Sequence, residues 1–313
     1  MSSVNEVLTC QNNPDMADFA QKILTFARTC STVNTHNLIE LLALWAGKKR
    51  VVRIVASDAT YDAVKRFCEL THLVFGHSAK KQAPRLNTST GDTFTVSVPW
   101  DDPTGEYFAV IVGRREEAVT HALDCESSDV SFRTFGELYE YPECCIEGYS
   151  DIESGDDWIR AYLRRSPIDV AGHHYGNRLA VLFDTATLIP DFFPCCISCE
   201  PTRRLGEQYA QLLKEAGLES HLRQIRRSLL SPILIRHGAL LQLSESQTSS
   251  QVIRYRASRD WQINWRGSLP ANDPFYRANS LMIFDGALRF LSFGEVIAEE
   301  PVGILENRLL LFQ

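Results

Sequence analysis

Glu106-Tyr-Phe-Ala-Val-Ile-Val112 is a continuous apolar run of strand length, and it passes through Gly113 into a helical pattern at about 115–123. A strand leading directly into a helix is one half of an α/β alternation, and the segments upstream supply the rest. Arg50-Val-Val-Arg-Ile-Val-Ala56 is rich in β-branched residues and reads as a strand. The helix after it has Asp58 as a candidate cap and Ala63, Val64 and Phe67 on its inner face. His72–Phe75 and Thr93–Val98 are further strand candidates. Ahead of these, Met16, Phe19, Ala20, Ile23, Leu24 and Ala27 recur at helical spacing after a loose tail over 1–15. Leu38, Leu41, Leu42 and Trp45 mark a second helix that Gly47 closes.

Downstream the pattern changes. Leu205, Tyr209, Leu212, Leu213 and Ala216 share a helical face that stops at Gly217. Beyond Pro232 come short strands at Ile233–Arg236, Ala239–Leu243 and Val252–Arg256. Ser280–Leu291 reads as a β-hairpin turning on Asp285-Gly286. The expected fold is therefore mixed α/β (α+β), with an α/β domain over 1–123, a helical cysteine-rich region over 124–230 and a small β-rich unit over 231–313.

The chain has 313 residues, 44% of them hydrophobic and 23% charged, so a core can form without covalent staples. No run approaches the roughly 18 apolar residues of a membrane span, and Met1-Ser-Ser-Val-Asn-Glu lacks the features of a secretory signal. The chain reads as cytoplasmic, with no membrane partner. A net charge of −7 opposes broad nucleic-acid binding. The charge is uneven: residues 124–157 carry eleven acids against Arg133 alone, whereas residues 200–280 carry twelve Lys/Arg against seven acids.

Nine cysteines without an export signal point to metal or redox chemistry rather than a disulfide framework. Cys10, Cys30, Cys68 and Cys125 are scattered and read as small buried hydrophobes. The other five fall in Tyr141-Pro-Glu-Cys-Cys145 and Phe193-Pro-Cys-Cys-Ile-Ser-Cys199. Each group follows an aromatic–proline pair and precedes a helix. Pro142 suits the first position of a helix running to about Ile152, and Ser198 is a candidate N-cap that would place Cys199 in the first turn of a helix over 199–216. Thiols at helix N-termini are biased toward thiolate, the form that ligates metal or attacks an electrophile. Cys144, Cys145, Cys195 and Cys199 are the best metal ligands, and four thiolates suit tetrahedral zinc or an iron–sulfur cluster.

Three alternatives stand beside a closed four-sulfur site. Adjacent cysteines tend to diverge, so a three-sulfur site with an open catalytic position is one. Cys196 and Cys199 form a C-x-x-C, which admits thiol redox or sulfur transfer. The third is plain packing at two helix starts.

Between the cysteine groups lies Gly172-His-His-Tyr-Gly-Asn-Arg178. His173 and His174 are candidate acid–base or ligand residues, and Arg178 is a candidate anion or substrate contact; the plain alternative is a surface loop opening an apolar helix over 179–188. Val112-Gly-Arg-Arg115 could hold a phosphate at a helix start, against the plain reading of a turn. His72 and His77 flank a strand and read as structural. There is no P-loop, GxGxxG, HExxH or GxSxG motif.

Gly136-Glu-Leu-Tyr-Glu-Tyr-Pro-Glu-Cys-Cys145 and Pro194-Cys-Cys-Ile-Ser-Cys199 resemble two motifs of the uncharacterised family called domain of unknown function 483, over roughly residues 100–216. The resemblance implies that Cys144, Cys145, Cys195 and Cys199 are the shared set and Cys196 is an extra, which favours metal over redox. It implies no activity. The expectation is a cysteine-cluster metalloprotein, iron–sulfur or zinc, acting as an enzyme on a small-molecule substrate. The alternatives are a metal-stapled interaction module and a thiol-redox or sulfur-carrying protein.

Overall fold

The strand Phe108–Gly113 is buried along its whole length and forms the centre of a three-stranded sheet. Val51–Ala56 pairs with it on one side and Val74–His77 on the other, both antiparallel. The two flanking strands therefore run in the same direction, and the helix Asp58–Thr71 makes the crossover between them. The computed structural model describes residues 14–30, 35–86, 93–128, 130–153, 158–167, 169–183, 188, 192–243, 247–249, 252–255, 262–264, 269–285, 287–303 and 308–312. The described residues form a mixed α/β architecture of helices and small antiparallel sheets.

Residues 1–143 and 208–222 form one compact unit. Alternation along the central strand supplies its two cores. Ala109 and Ile111 face Val119 and Ala122 of the helix Glu116–Ser127, while Phe108 meets Tyr61 of the crossover helix edge-on at 5.5 Å. Helices Pro14–Thr29 and Thr35–Trp45 complete that second layer. Gly113 is small for a reason: a Cβ there would lie 2.7 Å from Val119, so the helix could not settle on the sheet. A separate two-stranded ribbon joins Lys80–Leu86 to Thr93–Pro99. The N-cap of the crossover helix is Ser57, whose amide donates to Thr60 Oγ1. Asp58, the expected cap, is instead the first helical residue and pairs with Lys81 at 2.7 Å. Of the expected N-terminal tail, residues 1–13 lie outside the described residues.

Residues 144–207 and 223–313 form the second unit. A four-stranded sheet has the order Gln262–Asn264, Ala239–Gln242, Ile233–Arg236, Arg308–Leu310, and the last three of these strands are buried on both faces. Leu234, Ala239, Leu241 and Leu309 pack toward Ile253, Leu281, Leu288 and Phe290 of a five-stranded sheet. Ile233, Ile235, Leu240 and Leu310 pack the other way, onto Ile159, Tyr162, Leu163, Leu179 and Ile197 of the helical, cysteine-bearing part.

Three tight hairpins shape these sheets. At His237-Gly238 and Phe293-Gly294 both loop residues have positive φ, the signature of a two-residue type I′ turn, and at the third Asp285 has positive φ. The hairpin expected at Asp285 is present, although Gly286 itself lies outside the described residues. Two buried arginines tie the unit together. Arg236 is held by Asp273 at 2.8 Å and by Glu300 at 2.7 Å. Arg308 donates to the carbonyls of Leu163, Ser166 and Pro167, capping the end of the helix Trp158–Arg165.

Candidate metal centre

The helix Glu143–Glu153 begins one residue after Pro142, so Cys144 and Cys145 occupy its first turn. The helix Glu200–Glu215 begins one residue later than the sequence suggests. Ser198 is not its cap. Cys199 takes the N-cap position itself: its carbonyl accepts from the Arg203 amide at 3.0 Å, and Thr202, three residues on, helps to hold its thiol low. A turn closed by Cys199 N donating to Cys196 O at 3.3 Å brings Cys195 back over the same spot.

All four sulfurs of Cys144, Cys145, Cys195 and Cys199 lie within 4.8 Å of one another. Cys199 Sγ is 3.6 Å from both Cys144 Sγ and Cys145 Sγ. The adjacent pair, expected to diverge, instead converges, with Cys144 and Cys145 sulfurs 3.9 Å apart. At a helix start both thiols can turn toward the facing N-cap. The described cysteines are all free thiols, so no disulfide competes for this set.

The surroundings hold the loop in place. The Cys195 amide donates to Cys145 Sγ at 3.4 Å, and the Ile197 amide donates to Ser166 Oγ at 2.9 Å. Gly148 faces Cys195 so closely that a Cβ would lie 2.9 Å from the Cys195 Cβ. At Gly176 a Cβ would lie 2.0 Å from the Ile197 carbonyl oxygen. Tyr162, fully buried, links these parts: its hydroxyl donates to the Gly176 carbonyl and accepts from the Arg178 amide at 3.3 Å.

Electrostatics show why such a set calls for a cation. Hydrogen bonds from Cys145 and Cys195, then from Thr202, pull the Cys199 thiol well below the ordinary range. Its neighbours respond in the opposite sense. Cys144 is pushed up by burial and by the charge of Cys199. Cys195 is pushed up by its bonds to Cys145, Cys196 and Cys199. For Cys145 the downward pull of Cys195 is outweighed by Cys199 and burial. One thiolate forms readily and suppresses the next three, so four negative sulfurs at this spacing require positive charge among them.

The remaining sequence candidates fall elsewhere in the unit. Cys196 turns to Ser198 Oγ at 3.6 Å and is not in the four-sulfur set. His173 and His174 also stand outside that set. His174 opens a short 3₁₀ turn, His174–Gly176, and its charged form is disfavoured by burial and by Arg226. Its neighbour Tyr175 accepts from Arg226 Nη2 at 2.8 Å. The Arg178 guanidinium lies 5.3 Å over the ring of Phe193, the residue that opens the second cysteine segment. The expected helix over 179–188 is a 3₁₀ helix, Arg178–Phe183, and residues 184–187 lie outside the described residues.

Thr202, Gly148 and Ser166 escaped the sequence reading. Only Thr202 left a signal, three residues after Cys199, where an N-cap partner belongs. No family model, curated protein or solved structure matches this chain. Among the described residues no helix is long and apolar enough to cross a membrane.

Proposed function

We propose that Cys144, Cys145, Cys195 and Cys199 hold a single tetrahedral ion, zinc foremost, as a structural centre of a non-catalytic metal-stapled module. The observation that carries this reading is the sulfur spacing. A tetrahedron of thiolates at the zinc–sulfur bond length of about 2.3 Å has edges of about 3.8 Å, and the close sulfur pairs here lie at 3.6 and 3.9 Å. An iron–sulfur cluster interposes several atoms between its cysteines and spreads them further apart. The ion supplies the positive charge that lets the three suppressed thiols ionise alongside Cys199, and with it folding free energy.

A structural role is favoured over a catalytic one by the lack of working space. The cavity beside Cys195, bounded by Gly148, Trp158 and Phe193, amounts to about 10 Å³, and four protein ligands leave a tetrahedral ion no open position. The likeness to the domain of unknown function 483 motifs supports the same four ligands. A thiolate site of this kind belongs in a reducing compartment such as the cytoplasm.

Elemental analysis of anaerobically purified protein tests the reading. The expected result is a colourless protein with one zinc per chain. A brown protein with several irons per chain would replace it with the cluster reading, and metal-free protein with reactive thiols would replace it with thiol redox.

A further inference from the structure

The loop from Cys195 to Cys199 carries one thiol more than a tetrahedral ion can use. That thiol is Cys196, whose sulfur lies 3.6 Å from Ser198 Oγ rather than among the four. Three other described cysteines also stand outside the set, and all of them, Cys30, Cys68 and Cys125, are buried. Cys196 is only half-buried. Among the described residues it is therefore the one cysteine that is both free of the ion and open to solvent.

Its neighbours decide what an oxidised Cys196 can do. The Cys199 amide donates to the Cys196 carbonyl at 3.3 Å, closing a four-residue turn over Cys196–Cys199. Such a turn brings its end Cα atoms within about 7 Å, and a disulfide spans Cα separations of about 4.4–6.8 Å. Rotation of the Cys196 side chain can thus bridge it to Cys199 with little backbone movement. Cys195 is the poorer partner. Adjacent Cα atoms across a trans peptide stand about 3.8 Å apart, short of the disulfide range.

Cys199 is also the ligand that the centre can least spare. Its sulfur lies 3.6 Å from both Cys144 Sγ and Cys145 Sγ, so it links one helix start to the other. Drawing it into a disulfide leaves the ion three thiolates, because thiolate is the ligating form.

We propose that Cys196 is a peroxide-reactive thiol whose disulfide with Cys199 releases the ion. Hydrogen peroxide oxidises the Cys196 thiol to a sulfenic acid: an S–O bond forms, the O–O bond breaks, and one water leaves. The Cys199 thiolate then attacks the Cys196 sulfur, forming the S–S bond and expelling hydroxide, which takes a proton from solvent. Two electrons pass from the sulfur pair to the peroxide, and two waters result. This inference rests on the metal reading above and gives the same centre a means of release.

The test exposes full-length, zinc-loaded wild type, Cys196→Ala and Cys196→Ser to hydrogen peroxide with a chromophoric chelator present. Wild type should release its zinc in step with a Cys196–Cys199 disulfide, identified by mass spectrometry of the unreduced digest. A thiol reductant with added zinc should restore it. Both variants should begin with the wild-type zinc content, since Cys196 is not a ligand, and release it at least about tenfold more slowly. Equal release rates in all three proteins, a disulfide other than Cys196–Cys199, or zinc retained after that disulfide forms would overturn the proposal and leave the zinc reading standing. Wild type that carries no zinc before peroxide is added would overturn both.

Discussion

Thr202 Oγ1 lies 3.5 Å from Cys145 Sγ, with the Thr202 side chain fully buried behind the sulfurs. Once Cys145 is a thiolate, only the hydroxyl can donate. Thr202→Val keeps the branched shape and the backbone amide that serves Cys199, and removes that one donor. Groups supporting metal ligands are typically worth ten- to a hundredfold in affinity, so zinc affinity should fall by about tenfold or more while the fold survives. Competition against a chromophoric chelator measures it, and Thr202→Ser should retain most of the affinity.

The cysteines should separate by role. Replacing Cys144, Cys195 or Cys199 by serine should lose the metal and lower stability together, since the assembled site contributes to folding. Cys196→Ala should keep the metal, because its sulfur turns to Ser198. Cys68→Ser should lower stability through a hydroxyl placed in a fully buried position, with metal content unchanged. Metal loss on changing Cys196 but not Cys195 would mean the ligand set is misassigned.

Metal-loaded and metal-free protein should respond to pH with different slopes. Without metal, Cys144, Cys145 and Cys195 have raised folded pKa values. Their stabilising contribution is complete below the unfolded value of about 8.5 and is lost as pH rises above it. Cys199 has a lowered value, so its contribution is present above about 8.5 and is lost only as pH falls through the folded value. Three groups outweigh one, and the metal-free protein should weaken from about pH 8 upward. Metal binding expels protons, so the loaded form should strengthen as pH rises toward about 8.5, level off above it where the unfolded thiols ionise too, and lose its ion on acidification. Denaturation midpoints with and without chelator give the two slopes; parallel slopes would contradict the coupling.

Gly176→Ala should be among the most damaging single changes in the second unit. Its Cβ meets backbone, the Ile197 carbonyl at 2.0 Å, and no rotamer relieves that. Overpacking of this kind costs about 1–3 kcal/mol and occasionally more, and Ile197 sits inside the Cys195–Cys199 loop, so metal affinity should fall as well. Gly172→Ala is the comparison. That residue has φ +76° but nothing within 4 Å, so it should lose only about 1 kcal/mol.

Much of the layout was legible in the sequence because it rests on local periodicity. The apolar run ending at Val112, the helix after Gly113 and the Asp285 hairpin are all present, with ends shifted by a few residues. The grouping of the four cysteines was legible because chance does not place two such clusters behind aromatic–proline pairs. Other features arise from long-range packing that no local pattern encodes. The central position of Phe108–Gly113 is one, since sheet order depends on which strands meet. The convergence of Cys144 and Cys145 is another, because it depends on a facing helix start 55 residues away. His237-Gly238 and Phe293-Gly294 were readable in principle as type I′ turns; histidine and phenylalanine at positive φ hid them.

The strand Ile233–Arg236 belongs to two cores at once, Ile233 and Ile235 to one and Leu234 to the other. A four-residue strand cannot loosen on one face and stay ordered on the other. Its amides, and those of Leu240 and Leu241 across the ladder, therefore report on the cysteine loop through Ile197, which shares their core. In hydrogen exchange these central amides should open together with the metal loop as one cooperative block, carrying the state of four sulfurs into a sheet that never touches them.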